Sequence, residues 1–146
     1  MEAASEPEGE KQRAMLQRDR VAVQLGLRLT VDEPGHAVIS MVVRDDMLNG
    51  FDVLHGGLIF TLADTAFAVA CNEDDEVTLA AGAEISFLRP VRIGAELTAT
   101  ATRRTRTGRS GIYDVQVVDE GGSVVAEFRG RSRTTRLPQS TAGEEQ

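Results

Sequence analysis

His55-Gly56-Gly57 opens a long apolar run, Leu58 to Ala70, with one carboxylate, Asp64, near its centre. A carboxylate on so apolar a segment is costly to bury unless it is paired or put to use. At helical spacing its neighbours are Phe60, Thr61, Phe67 and Ala68. Desolvation among them would raise its pKa, which suits a general base near neutral pH. A structural carboxylate, paired with an arginine or a backbone group, fits the same spacing equally well. Gly56 and Gly57 are the second feature. Glycines at a helix start let a ligand approach the backbone. The first-turn N–H groups lack helical acceptors and carry the positive end of the dipole, so they can polarise a carbonyl and hold an oxyanion. A plain glycine turn is the commoner use of such a pair. His55 would shape that turn or donate a hydrogen bond beside a ligand. No second histidine is near, His36 is distant, and neither a cysteine pair nor an HExxH motif is present, so no metal site is expected.

Gly57 and Asp64 stand seven positions apart, on one helix face but on the order of 10 Å apart along the axis. One reacting carbonyl cannot touch both. If both serve one reaction, one of them comes from another copy of the chain, which argues conditionally for a homodimer with composite sites.

These residues need a scaffold. The pattern predicts an amphipathic helix over 13–24 and a hairpin of two strands, 27–31 and 37–43, about the turn Glu33-Pro34-Gly35. The long helix runs from about Gly56 to Asn72 and is apolar on every face, so it should be buried nearly all round. The acid run Glu73-Asp74-Asp75-Glu76 ends it. From there the period is two, with strands over 77–88, 95–106, 111–118 and 123–133. Short turns join these four strands, which predicts a sequential antiparallel meander. A sheet curled around one buried helix is an α+β arrangement. The expected domain is 13–136, between a disordered acidic segment, 1–12, and a flexible tail, 137–146.

The chain of 146 residues suffices for one domain with a real core. Its net charge of −7 makes it a poor default binder of nucleic acid, and the longest apolar stretch is too short and too interrupted to span a membrane. One cysteine, Cys71, and the lack of a signal-peptide pattern suit a cytoplasmic protein. Cys71 reads as a small core filler. Arginines cluster at Arg103, Arg104, Arg106 and Arg109, and again at Arg129, Arg131, Arg133 and Arg136. Most such residues face solvent, but a few could hold a phosphorylated small molecule.

Four motifs in order resemble those of the hotdog-fold acyl-CoA thioesterases: Met47-Leu48-Asn49-Gly50, His55-Gly56-Gly57, Leu62-Ala63-Asp64-Thr65-Ala66 and Phe87-Leu88-Arg89-Pro90. The likeness is nearest to the phenylacetate-degradation (PaaI-like) branch. It implies the hotdog fold, a curved antiparallel sheet of about six strands wrapped round one central helix. It implies dimers paired edge to edge, usually assembled into tetramers. It also implies hydrolysis of acyl-CoA thioesters, of the phenylacetyl or hydroxyphenylacetyl type, without a cofactor. By motif match Asp64 is the nucleophile or general base, the Gly57 N–H binds the thioester oxygen, and His55 and Asn49 orient substrate or water. Gly56, Thr65 and Arg89 join the substrate site. Arg109 and Ser110 fall in a turn that lies near the pantetheine and phosphates in relatives. One departure is the stretch Leu79-Ala80-Ala81-Gly82, which lacks the supporting hydroxyl that several relatives carry, though Thr78 is close. Two alternatives compete. One is a non-catalytic acyl-CoA-binding or regulatory module. The other is a hydratase or dehydratase, which needs a different acid–base pair on the helix.

Overall fold

The computed structural model describes residues 14–139, so 1–13 and 140–146 lie outside the described residues. A helical turn over 14–17 comes first. Helix α1, Arg20–Leu25, follows, with the Asp19 carboxylate accepting from the Ala22 N–H at 3.0 Å. The single helix expected over 13–24 is therefore two pieces, because Asp19 caps a new start instead of continuing the old one. Strands β1, Arg28–Glu33, and β2, His36–Val42, form the expected hairpin. After a 3-10 turn over Asp45–Met47 comes α2, Gly56–Cys71. Four more strands follow: β3, Glu76–Phe87, β4, Glu96–Thr107, β5, Ser110–Val118, and β6, Val124–Pro138. β6 thus runs past the division expected at residue 136.

All six strands form one antiparallel sheet in the order β1-β2-β4-β5-β6-β3. The expected four-strand meander is corrected here. β4, β5 and β6 do form a meander, with Gly108 taking the positive φ of 61° that the tight β4–β5 turn needs. β3 instead pairs with β6 at the far edge. The link from β3 to β4 is no hairpin turn but a crossing segment whose backbone groups are satisfied on the way. The Leu88 N–H donates to the Val125 carbonyl at 2.8 Å, the Val91 carbonyl accepts from Leu54 at 2.8 Å, and the Gly94 N–H donates to Val43 at 2.9 Å.

Helix α2 lies in the concave face. Inward-facing residues of the strands, including Ile39, Met41, Leu97, Ala99, Val115 and Phe128, pack against Ile59, Leu62, Ala66, Phe67 and Val69. Small residues bring the helix close: a Cβ placed on Gly130 would lie 2.7 Å from the Phe67 ring. Phe67 in turn packs against Tyr113 and Phe128, with centroids at 5.6 and 5.8 Å. Burial of α2 is not all round, and that expectation is also corrected. Gly57 is exposed, and Thr61, Asp64 and Ala68 are half-buried. Their spacing makes one stripe along the helix that the sheet of this chain does not cover.

The acid run and the first arginine cluster turn out to be partners. Glu73 is buried, accepting from Arg103 and from the Tyr113 hydroxyl. Asp74 meets Arg106 at 2.9 Å and Glu76 meets Arg109 at 3.1 Å. Together they tie the end of α2 to the β4–β5 end of the sheet.

Candidate active site

Asp64 projects from the uncovered stripe of α2 into a cleft of about 320 Å³. Met15 and Arg18 of the N-terminal turn, Phe67 and Cys71 of α2, and residues 77–80 of β3 wall this cleft. No hydrogen bond or ion pair reaches the Asp64 carboxylate from any described residue. Burial, with a smaller contribution from the negative charge of Asp19, holds its pKa above the usual carboxylate value of 3.8.

The floor of the cleft is fixed by Asn72. Its Oδ1 accepts from the Thr78 N–H at 2.8 Å, and its Nδ2 donates to the Thr78 carbonyl at 3.1 Å. This clamps the start of β3 beside the end of α2. The Thr78 hydroxyl lines the same cleft but is bonded to the Thr134 hydroxyl at 2.8 Å.

The helix start is built differently. His55 is the N-cap of α2, and its Nδ1 accepts from the Gly57 N–H at 3.2 Å. An accepting Nδ1 puts the proton of the neutral ring on Nε2. The Gly56 N–H has no acceptor among the described residues. The ring of Phe87 rests over Gly56, where a Cβ would come within 3.3 Å of it. His55, Gly56 and Gly57 thus share one end of α2 with Phe87, while Asp64 lies two helical turns further on.

The other expected site residues are spread out. Asn49 shapes the loop before the helix, its Oδ1 accepting from the Phe51 and Val53 N–H groups at 2.8 and 3.3 Å. The Thr65 hydroxyl turns back to the Thr61 carbonyl at 2.7 Å. Arg109 is occupied by Glu76 and by the carbonyls of Thr134 and Thr135 at 3.2 and 2.8 Å. Ser110 accepts from Arg133 at 3.2 Å. Arg89 is exposed beyond the end of β3. Reading the sequence did not single out Arg18, Phe87 as a contact of Gly56, or the buried Glu73–Tyr113 pair. Phe87 stood in one of the quoted motifs, but no local pattern links Glu73 to Tyr113.

A curled antiparallel sheet enclosing one long helix, with a carboxylate on that helix, is a hotdog fold carrying a helix-borne acid. The chain belongs to the thioesterase superfamily, whose model matches residues 51–126. It is 44% identical over 119 residues to the acyl-coenzyme A thioesterase PaaI of Escherichia coli (strain K12), spanning 82% of this chain and 85% of that one. The solved structure of the E. coli PaaI protein, from the phenylacetic acid degradation operon, is similar with a TM-score of 0.85. It is 39% identical and covers 90% of this chain and 98% of that chain. A mutant of the phenylacetic acid degradation protein PaaI from Thermus thermophilus gives a TM-score of 0.77 at 35% identity, covering 80% and 100% of the two chains. No helix among the described residues is long and apolar enough to cross a membrane.

Proposed function

We propose that this chain hydrolyses acyl-coenzyme A thioesters to free coenzyme A and a carboxylic acid, with phenylacetyl and hydroxyphenylacetyl groups the first to test. Asp64 carries the reading. It is a half-buried carboxylate with a raised pKa, open to a cleft and unpaired among the described residues. A purely structural carboxylate would be paired. The name of the 44%-identical E. coli relative supports the substrate class.

In this reading a water beside Asp64 attacks the thioester carbon and gives its proton to the carboxylate. The carbonyl becomes an oxyanion held by the Gly57 N–H. Collapse expels the coenzyme A sulfur, which takes the proton from Asp64, and the acid leaves. These steps use water, a carboxylate and a backbone amide, and call for no metal or redox group.

Gly57 and Asp64 of one chain cannot flank one carbonyl, so the site is composite and the chain a dimer. β3 supports this. It is an edge strand whose outer N–H and C=O groups are unpaired by the sheet of this chain. Antiparallel pairing of β3 with a second β3 about its middle sets residues 77–80, which wall the Asp64 cleft, opposite the Phe87 end of the second copy. Phe87 rests on Gly56, so that pairing carries a helix start to the cleft of the other chain. Further assembly of dimers into a tetramer and a cytoplasmic location belong to the same proposal.

The test has two parts. A panel of acyl-CoA substrates, read by free-thiol release, is expected to give turnover. Asp64→Asn and Gly57→Pro, the latter lacking the N–H yet tolerable in a first helical turn, are expected to be inactive alone. Mixed after co-refolding, they regain activity through the one site that combines an intact Gly57 with an intact Asp64. No regain refutes the composite site. Tight acyl-CoA binding without thiol release refutes hydrolysis.

A further inference from the structure

Gln139 follows β6 and lies past residue 136, where the sequence places the end of the domain. It is nevertheless held at three points. Its backbone N–H donates to the Asp75 carbonyl at 2.9 Å. Its Nε2 donates to the Asn72 Oδ1 at 3.2 Å and to the Asp74 carbonyl at 2.9 Å. Two acceptors facing one end of the amide fix its orientation and use both of its N–H bonds. The carbonyl oxygen, Oε1, is left over, since no donor among the described residues reaches it. Fastening the chain here needs the backbone N–H and Nε2; Oε1 has no part in it.

Gln139 also lines the Asp64 cleft. That cleft runs along α2, because Asp64, Ala68, Cys71 and Asn72 all line it and follow one another down one side of the helix. Asp64 and Cys71 are seven residues apart, which puts the carboxylate about 10 Å from the Asn72–Gln139 end. Phe67, Ala68 and Leu79 make the stretch between them apolar. At the far end the other polar side chains are committed. Asn72 donates to the Ala68 and Thr78 carbonyls and accepts from the Thr78 N–H and from Gln139. The Thr78 hydroxyl is bonded to that of Thr134. Of these side chains, only Gln139 brings an uncommitted acceptor. An apolar wall discriminates weakly for or against an added hydroxyl, whereas a placed hydrogen-bonding group selects it.

We infer that Gln139 is a specificity-determining residue of the cleft, its Oε1 accepting a hydrogen bond from a hydroxyl on the far side of a ring-sized acyl group. The inference rests on the thioesterase reading above and adds the residue that chooses among acyl groups. Gln139 is half-buried, so water can satisfy Oε1 when the substrate does not. The expected preference is therefore that of one neutral hydrogen bond, about fivefold in kcat/KM. Three thioesters test it: phenylacetyl-CoA, 4-hydroxyphenylacetyl-CoA and 4-methoxyphenylacetyl-CoA. The unaltered chain should favour the hydroxyl compound over the unsubstituted one about fivefold. The methoxy compound, which accepts but cannot donate, should lose that advantage; this comparison needs no variant. In Gln139→Leu the ratio of hydroxyl to unsubstituted substrate should fall to about one. A merely structural role would lower kcat/KM for all three alike and leave the ratio standing, which overturns the inference. Equal turnover of the hydroxyl and methoxy compounds by the unaltered chain also overturns it. If the chain hydrolyses none of the three, the functional reading fails, and calorimetric binding of the neutral amides decides the site. Tighter binding of 4-hydroxyphenylacetamide than of phenylacetamide, lost in Gln139→Leu, upholds the role of Gln139; equal binding overturns it.

Discussion

Replacing Gly130 with alanine puts one methyl group where the fold leaves no room. The added Cβ would stand 2.7 Å from two atoms of the Phe67 ring and 2.8 Å from a third. The ring cannot retreat. Phe67 is 1% exposed and held between Tyr113 and Phe128. Overpacking of this kind costs about 1–3 kcal/mol. The φ of Gly130 is not positive, so alanine is tolerated by the backbone and recovers about 0.4–1 kcal/mol through the unfolded chain. The net loss is about 1–2 kcal/mol, a fall in Tm of about 3–6 °C for a chain of this size at fixed concentration. Phe67 follows Asp64 by three residues and lines its cleft, so a displaced ring should also lower kcat/KM. Thermal unfolding and thiol-release kinetics on the same samples measure both effects. The variant Phe67→Leu should relieve part of the clash, giving a coupling of at least about 0.5 kcal/mol in a double-mutant cycle. An unchanged or higher Tm for Gly130→Ala, or strict additivity with Phe67→Leu, would refute this account of helix–sheet approach.

Further outcomes are expected at Asp64 and at Cys71. Asp64 has a folded pKa above its ordinary 3.8, so the folded chain holds that proton more tightly than the unfolded one. Its contribution favours folding at low pH and is lost as pH rises through the folded pKa. Asp64→Asn should therefore be at least as stable as the parent at pH 7, while turnover falls about 10²–10⁴-fold; a lower Tm at pH 7 would reveal a structural partner. In the parent, the acid limb of kcat/KM should lie above pH 3.8. Burial pushes the Cys71 thiol up to about 12. An aromatic disulfide reagent at pH 8 should leave the native chain unlabelled and release thiol only on unfolding; fast native labelling contradicts the burial.

The helix and its acid were legible because an uninterrupted apolar run bounded by His-Gly-Gly and an acid run has few other readings. The β1–β2 hairpin and the β4–β5–β6 meander were legible from their turns. The place of β3 was not, because a period of two identifies a strand without naming its neighbour. That choice was made by the 88–95 crossing and by the Asn72 clamp on Thr78, both non-local. The uncovered stripe of α2 was hidden for a related reason: every residue of it except Asp64 is apolar or small enough to pass for core. The first arginine cluster read as mostly solvent-facing, yet Arg103, Arg106 and Arg109 pair across some thirty positions with Glu73, Asp74 and Glu76.

The His55 cap on Gly57 has a consequence for rate under the proposed reaction. An imidazole nitrogen is a better hydrogen-bond acceptor than a thioester carbonyl, and a much poorer one than a tetrahedral oxyanion. While the amide is satisfied by Nδ1 at 3.2 Å, a bound ground-state carbonyl gains little by displacing the ring. The oxyanion gains a great deal. An internal competitor of intermediate strength therefore withholds the amide from the substrate and yields it to the transition state, so that binding energy is expressed in kcat and not in KM.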